Sequence, residues 1–351
     1  MSLTTPSLSA IPTCYASCSI GCRASDTLPK KLAAISGAGF SAIELAFPDI
    51  LSFASSQLRK DVGPYDYDDI CDVGKQIKKL CQEHNLKIFI LQPFSNFEGW
   101  PQGSPKREDA FRRVKGWIRV MEAVGTDTLQ VGSSDSPDMI TDREYIVSDL
   151  RLLADMLAEH NFRLAYENWC WSTHAPTWYG VWDIVKKVDK PNVGLCLDTF
   201  QTAGSEWADP TTQTGMMLLK GEHGGGKEEE ELEFNQSLEK LAKTIPEDKI
   251  YFLQISDAYK PKRPFSKDVD ETGTRPKGRW SHDFRPMPFD GGYLPVVAVT
   301  KAVLRTGFRG YFSMEIFDSG PEGKGKDYDM IEFAKQAMAS HKRLLAECAE
   351  S

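Results

Sequence analysis

Short apolar runs alternate with amphipathic stretches along nearly the whole of this 351-residue chain. Strands that alternate with helices form parallel sheets, and eight such units in one chain predict a single-domain (β/α)8 barrel. A doubly wound open sheet is the alternative, but it would need a glycine-rich phosphate turn after an early strand, and none occurs. The eight candidate strands are residues 13–20, 40–47, 86–94, 127–132, 162–169, 192–200, 249–257 and 310–318.

Composition excludes several classes of protein. Hydrophobic residues make up 41% of the chain, enough for a large core. No run approaches the roughly 20 apolar residues of a membrane span, and the first residues lack the pattern of a secretory signal. The net charge of −8 comes with interleaved signs, so we expect no nucleic-acid partner. Eight scattered cysteines without a CxxC pair favour a reducing, cytoplasmic compartment, and the oligomeric state stays open.

Two long connections interrupt the alternation. Residues 203–247 follow the sixth candidate strand, with glycines at 221–226 that predict a flexible tip and an acidic run from Glu228 that predicts the start of a helix. Residues 258–293 follow the seventh strand and are rich in proline, arginine and lysine. Long loops on a rigid scaffold usually cover or build a site, so we expect the second connection to lie over the barrel mouth.

Acids and amides stand near the carboxyl ends of the candidate strands, where the chemistry of such barrels gathers. Three carboxylates that converge in one barrel mouth would raise one another's pKa values, and a divalent cation would remove that conflict. Oxygen ligands suit Mg²⁺ or Mn²⁺, and are compatible with Co²⁺ or Zn²⁺. The alternative is that each acid pairs with a lysine or arginine at the rim. The residues are Glu44, Gln92, Gln130, Glu167, Asp198, Gln254 and Glu315.

Several segments resemble those of the sugar-phosphate isomerase/epimerase-type, or xylose isomerase-like, barrels. They are AYENWCWS (165–172), VGLCLDTF (193–200), YFLQISDA (251–258) and YFSMEIF (311–317). The closer resemblance is to the fungal 3-dehydroshikimate dehydratases of quinate catabolism. It includes LQPFSNFEGW (91–100) and YLPVVAVTKAVL (293–304), and it covers most of the chain.

The resemblance implies one divalent metal ion, Mg²⁺, Mn²⁺ or Co²⁺, held by Glu167, Asp198, Gln254 and Glu315. It also implies conversion of 3-dehydroshikimate to protocatechuate and water. A cation that polarises the substrate ketone would lower the cost of the enolate formed on proton loss, and loss of water would then give an aromatic ring. The expected partner is therefore a small molecule.

The substrate carboxylate needs a cationic clamp, and arginine suits a two-point grip. The segment WSHDFRPMPF (280–289) offers Arg285, with Arg279 beside it. Gln92 and Glu44 are further candidate contacts, and Trp169 is a candidate wall for a flat ring.

The proton acceptor is not identified by the resemblance. Bacterial members carry a histidine three residues after the metal-binding aspartate, and Gln201 stands there in this chain. An amide cannot act as a general base. His282, in the connection expected over the mouth, is the first candidate, and Tyr166 and His174 are the others.

Two rival functions remain. A ketose epimerase or sugar isomerase on the same metal scaffold would exchange a proton through Glu167 and Glu315, although such enzymes more often use histidine where this chain has Gln254. A barrel that has lost activity and serves as a binding subunit is the second rival, and the presence of all four ligand types argues against it.

Overall fold

The computed structural model describes residues 3, 8–218 and 227–349. Eight parallel strands close into a barrel in chain order, with the last paired to the first. Each overlaps one of the eight apolar runs, so the (β/α)8 barrel is confirmed. The barrel strands are β1 (Thr13–Ala16), β2 (Ala42–Ala46), β3 (Lys87–Phe94), β4 (Thr128–Gly132), β5 (Arg163–Glu167), β6 (Val193–Asp198), β7 (Ile250–Ile255) and β9 (Tyr311–Met314).

Eleven α-helices lie in the described part of the chain, and none of them is both long and apolar enough to cross a membrane. Two short 3-10 helices, Ser17–Ser19 and Glu247–Lys249, adjoin the strands. The α-helices are α1 (Leu28–Gly37), α2 (Phe47–Leu58), α3 (Tyr67–Glu83), α4 (Pro105–Val124), α5 (Arg143–Ala158), α6 (Trp178–Val188), α7 (Thr199–Glu206), α8 (Lys227–Thr244), α9 (Pro276–Asp283), α10 (Val296–Arg305) and α11 (Met330–Cys348).

Side chains along each barrel strand alternate between the interior and the helical layer. On β6, Cys196 belongs to a small interior cluster, whereas Leu197 packs in the larger core beneath the helices. Asp198 lies two residues beyond Cys196 and therefore faces the interior at the carboxyl end of the strand. On β5, Glu167 follows the interior residue Ala165 by the same two positions. Strand parity thus brings these acids together.

The first long connection contains the helix that its acidic run predicts, and the second contains regular structure that the sequence does not predict. The first holds the end of α7 and the whole of α8, and its glycines at 221–226 lie outside the described residues. The second, residues 258–293, holds α9 and the short strand β8 (Phe284–Arg285). Strand β8 pairs antiparallel with β10 (Phe317–Asp318), just beyond β9. This β8–β10 ribbon carries Arg285 over the carboxyl end of the barrel.

Candidate active site

Three carboxylates meet at the carboxyl end of the barrel. Glu167 ends β5, Asp198 ends β6 and Glu315 directly follows β9, and one oxygen of each lies within 4.8 Å of the others. All three side chains are buried. Burial, followed by the charge of Asp198, raises the pKa of Glu167 to about 8, and burial also raises the pKa of Glu315 well above its ordinary value. The cluster is therefore one in which negative charge is costly.

The guanidinium of Arg285 lies within this acidic cluster. Its Nη2 donates to Asp198 Oδ2 at 2.5 Å and contacts Glu315 Oε2 at 2.8 Å. Its Nε donates to Ser256 Oγ at 2.8 Å, and Nη1 donates to Ser281 Oγ at 3.3 Å. The residue is only 1% exposed. Burial alone would lower the pKa of Arg285, but the two carboxylates more than offset it, so the pKa is raised and the side chain stays charged.

These contacts restrict how Arg285 could bind a substrate. A guanidinium has five N–H groups. Three of them donate to Asp198, Ser256 and Ser281, and Nη2 also forms an ion pair with Glu315. One N–H of Nη1 is left for a substrate. A two-point grip on a substrate carboxylate, as the sequence suggested, would therefore require one of these contacts to open.

The three acids could hold a divalent cation. A cation would favour the ionised form of all three acids, whose net charge together with Arg285 is −2, and one divalent ion would neutralise it. Glu167 Oε1 is buried and accepts no hydrogen bond from the described residues. Oxygen donors of this type are the ligands that hard divalent ions prefer. The residues present therefore fit such an ion.

Gln254 and Glu44 lie beside and beneath the acids. The Gln254 amide nitrogen donates to Glu315 Oε1 at 3.0 Å and to Glu44 Oε2 at 2.8 Å, and its oxygen accepts from the Cys196 thiol at 3.2 Å. Ligation through that oxygen would require the amide to turn over. Glu44 is fully buried, and burial raises its pKa to about 7. It supports Gln254 and does not reach the cavity above the acids.

A cavity of about 320 Å³ opens over the acidic cluster. Its volume lies near the lower end of the range of about 300–1,000 Å³ for small-molecule pockets. Seven candidate residues from the sequence line it, namely Gln92, Gln130, Glu167, Trp169, His282, Arg285 and Glu315. The cavity is therefore large enough for a small ring placed directly above the carboxylates.

Two tryptophans form one wall of this cavity. The rings of Trp169 and Trp171 stack with centroids 5.2 Å apart and planes 21° from parallel. The Trp169 indole N–H donates to Glu167 Oε2 at 3.0 Å, and that of Trp171 donates to Asp135 Oδ2 at 3.0 Å. Each ring is thus held by a carboxylate, and together they present a flat apolar surface that suits a planar ligand.

Among the described residues, His282 is the histidine that lines the cavity, and it lies in the last turn of α9. Its ring stands edge-on to Trp171, with centroids 6.2 Å apart and planes at 75°. Burial lowers its pKa, with the charge of Arg285 acting in the same direction. The imidazole is therefore neutral at neutral pH and able to accept a proton.

The other two candidate proton acceptors lie outside the cavity. The Tyr166 hydroxyl donates to Glu98 Oε1 at 2.8 Å, and His174 Nε2 lies 2.9 Å from the same oxygen. The backbone N–H of Ser134 also donates to that oxygen at 2.8 Å. Tyr166 follows an interior residue on β5, so its side chain faces the helical layer. These groups form a buried network that joins three loops, and the structure does not bring them to the acids.

Arg279 also lies away from the cavity. Its guanidinium donates to the carbonyl oxygens of Ser266, Asp268 and Thr274 at 3.0, 3.1 and 2.8 Å. It therefore holds together the outer part of the long connection after β7.

Asp135 lines the cavity although the sequence around it carries no signal of a site. Asp135 lies in SSDSPD, a composition typical of a turn, and only the folded loop brings it to the cavity. Gln201 lines the cavity from α7, and its side-chain oxygen accepts the backbone N–H of Cys170 at 2.9 Å. Gln130, one of the strand-end candidates, donates from its amide nitrogen to Glu167 Oε2.

Comparisons with known proteins agree with this geometry. A 3-dehydroshikimate dehydratase of Neurospora crassa is 31% identical over 319 residues, which cover 86% of each chain. A 3-dehydroshikimate dehydratase of Pseudomonas putida is 29% identical over 296 residues, which cover 84% of this chain and 37% of that protein. A solved xylose isomerase-like TIM barrel/4-hydroxyphenylpyruvate dioxygenase fusion protein is 26% identical, with a TM-score of 0.68 over 94% of this chain and 42% of its own.

The match to a family model is equally extensive. The model described as xylose isomerase-like TIM barrel matches residues 32–338. This span includes seven of the eight barrel strands and all three carboxylates of the acidic cluster. The chain therefore belongs to the xylose isomerase-like TIM barrel family.

Proposed function

We propose that this protein is a metal-dependent dehydratase that converts 3-dehydroshikimate to protocatechuate and water. The observation that carries the proposal is the buried cluster of Glu167, Asp198 and Glu315, joined by Arg285. Glu167, Glu315 and Arg285 line a cavity of small-ligand size. The relatives from Neurospora and Pseudomonas named for this activity support it, because they cover most of the chain.

The acidic cluster is the proposed site of one divalent ion. Glu167, Asp198 and Glu315 would hold it, joined by Gln254 once its amide turns over, and Mg²⁺, Mn²⁺ and Co²⁺ are the candidates. When bound, the ion would polarise the substrate ketone and so favour loss of the neighbouring proton.

The cavity residues have distinct roles in this proposal. Among the described residues that line the cavity, Arg285 is the one with a permanent positive charge. It therefore binds the substrate carboxylate through the remaining N–H of Nη1. Trp169 and Trp171 hold the ring by its face. His282, whose pKa is lowered by burial, accepts the proton.

The reaction needs no co-reactant. His282 takes the proton from the carbon next to the ketone, and the electrons of that C–H bond form a new C=C bond. The C–O bond of the adjacent carbon breaks, and its electron pair leaves with the hydroxyl group. The proton on His282 passes to that oxygen, so the leaving group departs as water. Enolisation of the resulting dienone then gives the aromatic ring.

A spectrophotometric assay tests the proposal. Chelated protein, with and without added Mg²⁺, Mn²⁺ or Co²⁺, is mixed with 3-dehydroshikimate, and the absorbance of the aromatic product is followed. We expect Glu167→Gln, Asp198→Asn and Glu315→Gln each to lower turnover by about 100-fold or more, since each removes a charged ligand from the site.

A matched control separates this effect from loss of a buried acid in general. Asp257 is a buried carboxylate near the end of β7 that accepts the backbone N–H groups of Ala258 and Leu294 at 2.7 and 2.8 Å. Asp257→Asn keeps an acceptor there, and we expect it to retain activity. Wild-type turnover in any of the three acidic-cluster variants, or in thoroughly chelated protein, would contradict the proposed metal site.

A further inference from the structure

Asp135 is a cavity residue that the proposed mechanism leaves without a role. It lies in the loop after β4, where its backbone N–H donates to Asn96 Oδ1 at 3.2 Å. Its Oδ2 accepts the Trp171 indole N–H at 3.0 Å. Its other oxygen accepts no hydrogen bond from the residues that the structure describes. A carboxylate that is fixed at two points and faces a ligand cavity is placed to act electrostatically on its neighbours.

The Trp171 ring connects Asp135 to His282. One edge of the indole donates to Asp135, and the imidazole stands edge-on against the same ring system. The backbone carbonyl of Trp171 accepts from Arg275 Nη1 at 2.7 Å, which holds the main chain that carries the ring. A movement of Asp135 would therefore be passed to the packing of His282.

Four charged groups act on the imidazole, and Asp135 differs from the other acids among them. Asp283 is on the same helix and accepts from Ser319 Oγ at 3.1 Å. Asp270 accepts hydrogen bonds within its own loop. Arg285 supplies the opposing positive charge. Asp135 is the acid of the three that lines the same cavity as the imidazole.

We propose that Asp135 is a positioning residue for His282. Its carboxylate fixes the Trp171 ring against the imidazole and supplies the negative charge that stabilises the imidazolium formed when His282 takes the substrate proton. The role of His282 as proton acceptor rests on the proposed function, whereas the electrostatic link between the two side chains does not.

Asp135→Asn isolates the charge, because asparagine can still accept the indole N–H. The pKa of His282 is measured by NMR on histidine-labelled protein, with His282→Gln used to assign the resonance. We expect the pKa of His282 to fall by about 0.5. In the dehydratase assay, the acidic limb of the kcat/KM profile should move to lower pH by the same amount, with KM nearly unchanged. Asp135→Ala also removes the acceptor for Trp171, so it should raise KM as well.

Asp138→Asn is the matched control, since it removes the same charge from the same loop at an exposed residue paired with Lys106 at 3.0 Å. It should leave the pKa of His282 unchanged. An unchanged pKa in Asp135→Asn would overturn the inference even if the enzyme is an active dehydratase. A lowered pKa in a protein without dehydratase activity would support the link and refute the proposed function instead.

Discussion

Arg285→Ala is the sharpest probe of the acidic cluster. The substitution removes the cation that contacts Asp198 and Glu315 and leaves the buried carboxylates without a compensating charge. Deleting one partner of a buried ion pair typically costs about 3–5 kcal/mol. We expect the free energy of unfolding of the metal-free variant to fall by about that amount, as measured by denaturant unfolding in the presence of a chelator.

Added divalent metal should reverse much of this loss. Arg285→Ala removes one positive charge from the cluster, so a divalent cation is attracted more strongly than in the wild type. The stabilisation produced by millimolar Mg²⁺ should therefore be larger for Arg285→Ala than for the unchanged protein. Arg285→Lys restores one charge but not the fork of nitrogens, so it should recover only part of the stability.

Activity gives an independent readout of the same residue. If Arg285 binds the substrate carboxylate, Arg285→Ala in saturating metal should raise KM, and Arg285→Lys should recover part of the loss. Arg112→Ala is the control, because that arginine pairs with Asp109 at the surface, where ion pairs contribute at most about 1 kcal/mol. A metal-free Arg285→Ala protein as stable as the wild type, or one that metal stabilises no more, would refute the reasoning.

Two further predictions concern histidines. His282→Ala should lower kcat by about 100-fold or more. Adding Gln201→His to His282→Ala should recover part of the lost kcat, because the new histidine returns a base to the cavity. No recovery of kcat in a folded, metal-loaded double variant would contradict this prediction. His341 is buried, and burial lowers its pKa to about 4. Between pH 6.5 and 4, the His341 imidazole binds a proton in the unfolded chain but not in the folded protein. The free energy of unfolding should therefore be about 2 kcal/mol lower at pH 5 than above pH 6.5. His341→Leu should flatten that fall in denaturant unfolding, and an equally steep fall would assign it to other groups.

The sequence predicted the barrel well because its signal is local. Apolar runs and helical periodicity fix each element, and strand parity then places Glu167 and Asp198 on the interior face. Parity and the position along the strand explain two candidates that do not reach the cavity. Tyr166 is one residue out of phase with Glu167 on β5, and Glu44 is in phase but one layer lower than Ala46, which does line the cavity.

Long-range pairing accounts for what the sequence did not predict. Nothing in the segment around Arg285 indicates the β8–β10 ribbon, which draws the side chain into the acidic cluster. Helix α7 is not predicted because its sequence, TFQTAGSE, has one large apolar residue, Phe200, and therefore no apolar stripe of helical period. Asp135 depends on the fold of a turn-like loop that no periodic pattern describes.

In the proposed enzyme the proton acceptor comes from the connection after β7, because Gln201 on α7 cannot act as a general base. The Gln201 side-chain oxygen is engaged by the backbone N–H of Cys170, so this residue joins α7 to the loop after β5. His282 and Arg285 lie three residues apart, and the β8–β10 ribbon fixes their connection to the chain beyond β9. In the proposed enzyme one short segment thus supplies both the cation for the substrate carboxylate and the group that takes the proton. Binding and proton transfer therefore depend on the same ribbon.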